Sequence, residues 1–297
     1  IRIISDYFMK NTTLGIISGL SAAAIWGAMY VVSKAVMAVI PPFSLLTSRL
    51  ILGIATLFII AFLQKKLTIR KKQFWSIVWV GFIGYGISLG FQFVGTNLST
   101  AANGSLVTSA TPAFVLIFAA IILGEKITRR RFIALLIASL GVLAVIDPRS
   151  AELASSLFWG NMSLVSAALT WALYSVLIRK VTRGVDVLTV SLIAFVGGLP
   201  TSIAFSVWEI STLGIGEITL GVIAGILFLG IIATALAMYL WNTAFALLDA
   251  SLASLTFFAQ PVVGTVLGAI FLGEIITPLF LFGGLLIGIG LVVASKE

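Results

Sequence analysis

Ten stretches of this chain are apolar for the length of a membrane-crossing helix, and little separates them. They cover residues 14–33, 43–63, 74–93, 101–123, 132–146, 157–178, 187–208, 220–241, 250–272 and 279–294. A hydrocarbon layer roughly 30 Å thick is crossed by about 20 helical residues. Inside it no water satisfies backbone N–H and C=O groups, so a chain of continuous apolar runs can cross only as helices. The connections leave no room for a soluble domain. Only 9% of the residues are charged and 60% are hydrophobic, against a charged share of about a quarter in soluble domains. The expectation is an all-α membrane protein with ten transmembrane helices. The fifth and tenth are short enough to need flanking side chains that snorkel.

The charges report orientation. Ten spans put both termini and the loops after even-numbered spans on one side. That side gathers Lys65, Lys66, Arg70 to Lys72, Lys126, Arg129 to Arg131, Arg179, Lys180 and Arg183, while the other carries only Lys34 and Arg149. Basic loops stay on the cytoplasmic side. Both termini are therefore predicted to be cytoplasmic in an inner, multi-pass membrane protein. The net charge of +8 belongs to these loops and carries no nucleic-acid reading. Residues from Met9 read as a bacterial start, so the first eight are expected to be an upstream extension, and 1–12 a cytoplasmic segment. The first apolar run continues through Val39 and is not read as a cleaved signal peptide. There is no histidine and no cysteine, which removes imidazole bases, thiolate nucleophiles and Cys/His metal sites. No cofactor, metal or enzymatic activity is expected.

One passage is written twice. Leu-Gly-Glu-Lys-Ile-Thr at 123–128 returns as Leu-Gly-Glu-Ile-Ile-Thr at 272–277, each after an apolar segment with a proline at its middle, Pro112 and Pro261. A proline within a helix frees the carbonyl four residues back, here on Thr108 and Phe257, and lipid offers it no donor. Matching interruptions in two halves point to a solute site at the bilayer midplane of a secondary transporter. Further pairs align: Trp26 with Trp171, Lys34 with Arg179, Gly81 with Gly230, Ser105 with Ser254, Glu125 with Glu274, and Gly141 with Gly290. Five spans per unit means the second unit enters from the opposite side. The predicted organisation is two inverted five-helix repeats, 13–148 and 157–297, joined by 149–156.

In the early tryptophan of each half, the segments at Ser105 to Phe114 and Ser254 to Val263, and the Leu-Gly-Glu endings, the chain resembles the drug/metabolite transporter superfamily, in particular its EamA-like ten-span branch. The resemblance spans nearly the whole chain and is weak on substrate. It implies a central cavity formed mainly by spans one, three, four, six, eight and nine, with access alternating as the two halves rock. Relatives move amino acids, related metabolites, sugars or drugs, many of them outward.

Polar and aromatic residues at mid-depth on those spans are the binding candidates, since a polar group facing lipid is costly. They are Trp26, Tyr30, Tyr85, Asn103, Thr108, Trp171, Tyr174, Tyr239 and Gln260. Gln92 and Asn242 stand nearer their span ends and rank below Tyr85 and Gln260. Most serines and threonines in such helices bond their own backbone. Trp75, Trp159 and Trp208 read as interfacial anchors, and the glycines of the third span as packing positions. Pro112 and Pro261 are taken as kinks that serve the site. Lys34, Glu125 and Glu274 are assigned as gate or structural residues, because a carboxylate at a helix C-terminus opposes the macrodipole and must pair elsewhere or cap a neighbour.

No carboxylate lies mid-span, which disfavours proton antiport through a buried acid and strongly cationic solutes. Phosphorylated solutes would need several cavity cations, and only Lys34 and Arg49 are available. Arg49 is expected either to snorkel outward or to pair internally. The solute class that remains is small and neutral or zwitterionic, amino acids first, and the leading reading is an exporter. Drugs or other amphipathic solutes, and a channel or scramblase, are the alternatives. The partners are that solute and the bilayer, and the oligomeric state is open between monomer and homodimer.

Overall fold

A computed structural model describes residues 2–65, 70–99, 107–146, 157–272 and 278–295, the side chains of 2–10, 30, 31, 34, 145, 146, 265, 268, 269, 271, 272, 280 and 295 excepted. Ten helices carry these residues: α1 (Arg2–Met37), α2 (Pro42–Leu63), α3 (Lys71–Leu98), α4 (Thr111–Leu123), α5 (Arg129–Ile146), α6 (Phe158–Val181), α7 (Val187–Leu213), α8 (Leu220–Leu247), α9 (250–272) and α10 (Pro278–Ser295). Six of the ten, α1, α2, α3, α6, α7 and α8, contain stretches long and apolar enough to cross a membrane. Shorter apolar stretches lie in α4, α9 and α10, and α5 opens on three arginines.

Two helices carry their irregularity in corresponding places. Helix α3 is π-helical over Phe82–Ser88 and α8 over Phe228–Leu236. These follow or contain the aligned glycines, Gly81 and Gly230. A π-turn loosens the hydrogen-bond ladder and leaves carbonyls for other donors. The prolines also act in parallel. Pro112 falls in the first turn of α4, after a turn at Ser109 and Ala110, and Pro261 falls in the first turn of Ala259–Leu272, after a 3-10 turn at Thr256–Phe258. Each proline thus opens a new helical segment, where its missing N–H costs nothing, instead of bending a continuous helix.

Packing runs between the halves. Helix α1 lies on α8 and α9, α6 on α3 and α4, α2 on α7 and α8, α3 on α6 and α7, and α5 on α10. Each contact has a counterpart when the halves are exchanged. Glycines set the closest approaches: a Cβ on Gly81 would sit 1.9 Å from the Ala194 carbonyl oxygen of α7, and one on Gly230 would sit 2.6 Å from Leu52 of α2. Gly141 meets the Gly283 carbonyl of α10 and Gly290 the Ala134 carbonyl of α5, a reciprocal seam of small residues of the kind membrane helices use in place of a hydrophobic drive. Trp75, Trp159 and Trp208 are exposed on the outer surface, as anchors should be.

Candidate functional site

A cavity of about 40 Å³ lies where the two halves meet. It has room for a few waters, at roughly 10–15 Å³ each, so the side chains around it leave little free space. Trp26 and Met29 come from α1, Arg49 from α2, Ser88 and Gln92 from α3, Thr111 from α4 with Thr108 just before it, Trp171 from α6, Met238 from α8, and Phe257 and Gln260 from α9.

The aromatic wall is cross-braced. Trp26 and Trp171, the aligned tryptophans, meet edge to face at 5.8 Å, and Trp241 stands behind both at 5.3 and 6.4 Å. Phe257, whose carbonyl Pro261 leaves without its helical donor, packs 6.1 Å from Trp26. Trp26 is oriented by the loosened ladder of α8: its Nε1 donates to the Ala233 carbonyl at 3.0 Å, within the π-helical segment. Trp171 stacks on Tyr174 at 4.8 Å.

Tyr174 and Tyr85 stand behind this wall and do not line the cavity. Their polarity is consumed by a directed chain. Asn242 Oδ1 can only accept, so Tyr174 donates to it at 2.9 Å and its own oxygen accepts a hydrogen bond from the Tyr85 hydroxyl. Asn242 Nδ2 then donates to Ser191, which donates to the Val187 carbonyl. Four helices are joined by these bonds, and a satisfied buried network of this kind rigidifies what rests on it. Tyr239 is half-buried against the core and does not reach the cavity. Tyr30 and Lys34 ride on α1, and their side chains lie outside the described residues, as do Asn103 and Glu274 altogether. Of the sequence candidates, Trp26, Thr108, Trp171 and Gln260 come together on the lining.

Two lining residues were ranked low or left open by sequence reasoning. Gln92, near the end of its expected span, lines the cavity. Arg49 does not snorkel outward, and among the described residues it pairs with no acid: it is 2% exposed and lines the cavity. Its Nε donates to Thr234 Oγ1 at 3.0 Å, Nη2 approaches the Met29 sulfur at 3.2 Å, and the guanidinium centre sits 5.9 Å from the Phe93 ring. Thr234 is held for this by its own bond to the Leu229 carbonyl five residues back, a reach that the π-turn provides. No carboxylate pairs with Arg49 among the described residues. Removing an unpaired ion from water costs several kcal/mol even after relaxation, so a guanidinium kept here signals a role. Two further lining atoms, Gln260 Oε1 and Thr111 Oγ1, are buried without a hydrogen-bond partner among the described residues.

At one end of the bundle the Leu-Gly-Glu motif shows its purpose. Gly124 ends α4 in the left-handed region at φ 70°, which glycine adopts without strain, and this turns Glu125 away from its own helix. The carboxylate accepts from Ala250 N at 2.8 Å, Ser251 N at 3.2 Å and the Ser251 hydroxyl at 2.8 Å. A carboxylate at a neighbour's N-terminus is favourable where at its own C-terminus it would not be. Arg179 and Arg131 complete a four-residue ionic cluster. Arg179 lies 3.4 Å from Glu125 and 2.9 Å from Asp249, and Arg131 lies 2.6 Å from Asp249. The cluster ties α4, α5 and α6 to the start of α9. Glu209 repeats the capping device on α2, accepting from Phe43 N and Ser44 N.

Comparison with known proteins agrees with this architecture. The sequence profile described as the EamA-like transporter family matches residues 13–146 and again 158–296. The chain is 27% identical over 290 residues to the uncharacterized transporter YoaV of Bacillus subtilis (strain 168), covering 95% of this chain and 96% of that protein. It is 29% identical over 275 residues to the uncharacterized transporter YyaM of the same organism, covering 91% and 89%. It is 26% identical over 288 residues, covering 92% and 91%, to a Salmonella typhimurium (strain LT2) protein named "Probable amino-acid metabolite efflux pump". A solved crystal structure shares the fold with a TM-score of 0.80 at 22% identity, covering 94% of this chain and 96% of its own. With the family profile found once in each half, on a helical bundle whose two aligned tryptophans meet at a shared cavity, the chain belongs to the EamA-like transporter family of the drug/metabolite transporter superfamily.

Proposed function

We propose that this protein is a secondary carrier that exports small neutral or zwitterionic metabolites, amino-acid-like solutes first, from the cytoplasm across the inner membrane. The observation that carries the reading is the cavity itself: apolar and aromatic walls with a few convergent polar groups, contributed by both halves. This is the design of a small-molecule site, placed where an inverted repeat would have it. The Salmonella relative's name supports efflux of amino-acid metabolites as the first class to test.

The repeats divide as 13–148 and 157–297 around a 149–156 linker, with both termini cytoplasmic. The loops that build the ionic cluster are then cytoplasmic, and the cluster is the inner gate in its closed state. The moving bodies in this reading are α1, α2, α8 and α9 on one side of the cavity and α3, α4, α6 and α7 on the other, with the contact of α2 on α7 as the seam between them. Each body mixes both sequence halves, unlike the half-against-half rocking that the family resemblance implies.

Counterflow into liposomes with radiolabelled amino acids and metabolites tests the carrier reading. Saturable exchange is expected. Flux that never saturates belongs to a channel or scramblase. The ring cluster around Trp26, Trp171 and Phe257 favours amphipathic drugs as a second reading, and their transport with no amino-acid exchange establishes it in place of the first.

A further inference from the structure

We infer that Arg49 is the receptor for a carboxylate on the transported solute, which narrows the substrate class to carboxylate-bearing metabolites, amino acids among them. The inference rests on the carrier reading and sharpens it.

Arg49 is a permanent cation, since guanidinium does not deprotonate in proteins. It lines the cavity at 2% exposure, and what touches it there is a hydroxyl, a thioether and a ring face. None of these carries a negative charge. A guanidinium offers five donors in a planar fork that matches a carboxylate in shape as well as charge, and the contacts to Thr234 and Met29 engage Nε and Nη2. The missing counter-charge is therefore expected from the cargo. Glu125, Asp249 and Glu209 are committed elsewhere, to the ionic cluster and to helix capping. A phosphate carries up to two charges, and Arg49 is the only Lys or Arg on the lining among the described residues. One guanidinium balances one carboxylate.

The rest of the cavity is consistent with a zwitterion. Gln260 Oε1 is an acceptor with no partner among the described residues on the same lining, suited to an ammonium or N–H, and the faces of Trp26 and Trp171 suit either a cation or an apolar side chain.

The test is counterflow in liposomes with matched probes: L-phenylalanine against L-phenylalaninamide, and L-leucine against L-leucinamide. The parent protein is expected to exchange the acids faster than the amides by at least about ten-fold, the least that losing a charge-assisted hydrogen bond should cost. Arg49→Gln should bring that ratio close to one. Arg49→Lys should restore part of it, because a point charge replaces the fork. A purely structural Arg49 would not alter the ratio. Because an unpaired buried cation is removed, Arg49→Gln should melt no lower than the parent in detergent. Amides exchanged as fast as acids by the parent, or an Arg49→Gln protein that keeps the parent's ratio, overturns the assignment and leaves the carrier standing. No saturable exchange of any probe or of the wider metabolite panel removes the carrier reading itself.

Discussion

Gln260 has a side-chain oxygen buried on the cavity wall with nothing to accept from among the described residues. An unmet polar group of this kind costs about 1–3 kcal/mol, so Gln260→Ala should leave the melting temperature unchanged or raise it. Counterflow should fall by about ten-fold, because a hydrogen bond to cargo is lost. Trp26 behaves in the opposite sense. Trp26→Phe keeps an aromatic ring, though a smaller one, and deletes the donor to Ala233, which leaves a buried carbonyl stranded and should lower stability by about 1–3 kcal/mol, read by thermal unfolding in detergent. Residues of the first kind were legible in the sequence, because a long amide beside a proline in an apolar run has few other uses. Arg49 was not, because periodicity does not say which neighbouring helix will face a given side chain. Tyr85 and Tyr174 misled for the converse reason. Their hydroxyls look available in one dimension and are spent on each other and on Asn242.

At the scale of the helix, glycine placement decides where bodies approach. Gly81→Val would drive a side chain into the Ala194 backbone of α7, which cannot yield as a flexible side chain would. Overpacking of this kind costs about 1–3 kcal/mol or more, and purified yield and melting temperature should both drop. Gly284 of α10 has open space where a Cβ would go. Gly284→Ala should be neutral, or stabilise by up to about 1 kcal/mol through helix preference, in the same assay. The first Leu-Gly-Glu was readable as a helix end, and the capping of a neighbour by Glu125 follows from the dipole argument. The prolines were readable as interruptions. Their sequence position could not show that each starts a fresh helical segment, because that depends on the turns at Ser109 and Ala110 and at Thr256–Phe258, which tertiary packing selects.

At the scale of the whole molecule, the ionic cluster joins the ends of α4 and α6 and the start of α5 to the start of α9. Glu125→Ala removes the cap on α9 and the acid between Arg131 and Arg179, and should shift the protein toward a state open at that end. The chain has no cysteine, so Ser254→Cys, at a position 1% exposed in the first turns of α9, gives a clean reporter. Maleimide labelling of that cysteine should be several-fold faster when Glu125→Ala is present, in line with the loss of about 1–3 kcal/mol from one buried polar partner. The duplication was plain in the sequence. What it could not convey is that every helix of the first five finds its chief neighbours among the last five: Trp26 donates to a carbonyl 207 residues further on. During synthesis the leading half must therefore wait in the bilayer as loosely held helices, with the Arg49 side chain still lacking Thr234, until the ribosome has delivered the trailing half. A chain stopped at residue 148 should be cleared by membrane proteases, and co-expressing it with a separate 149–297 polypeptide should rebuild a working protein from two pieces.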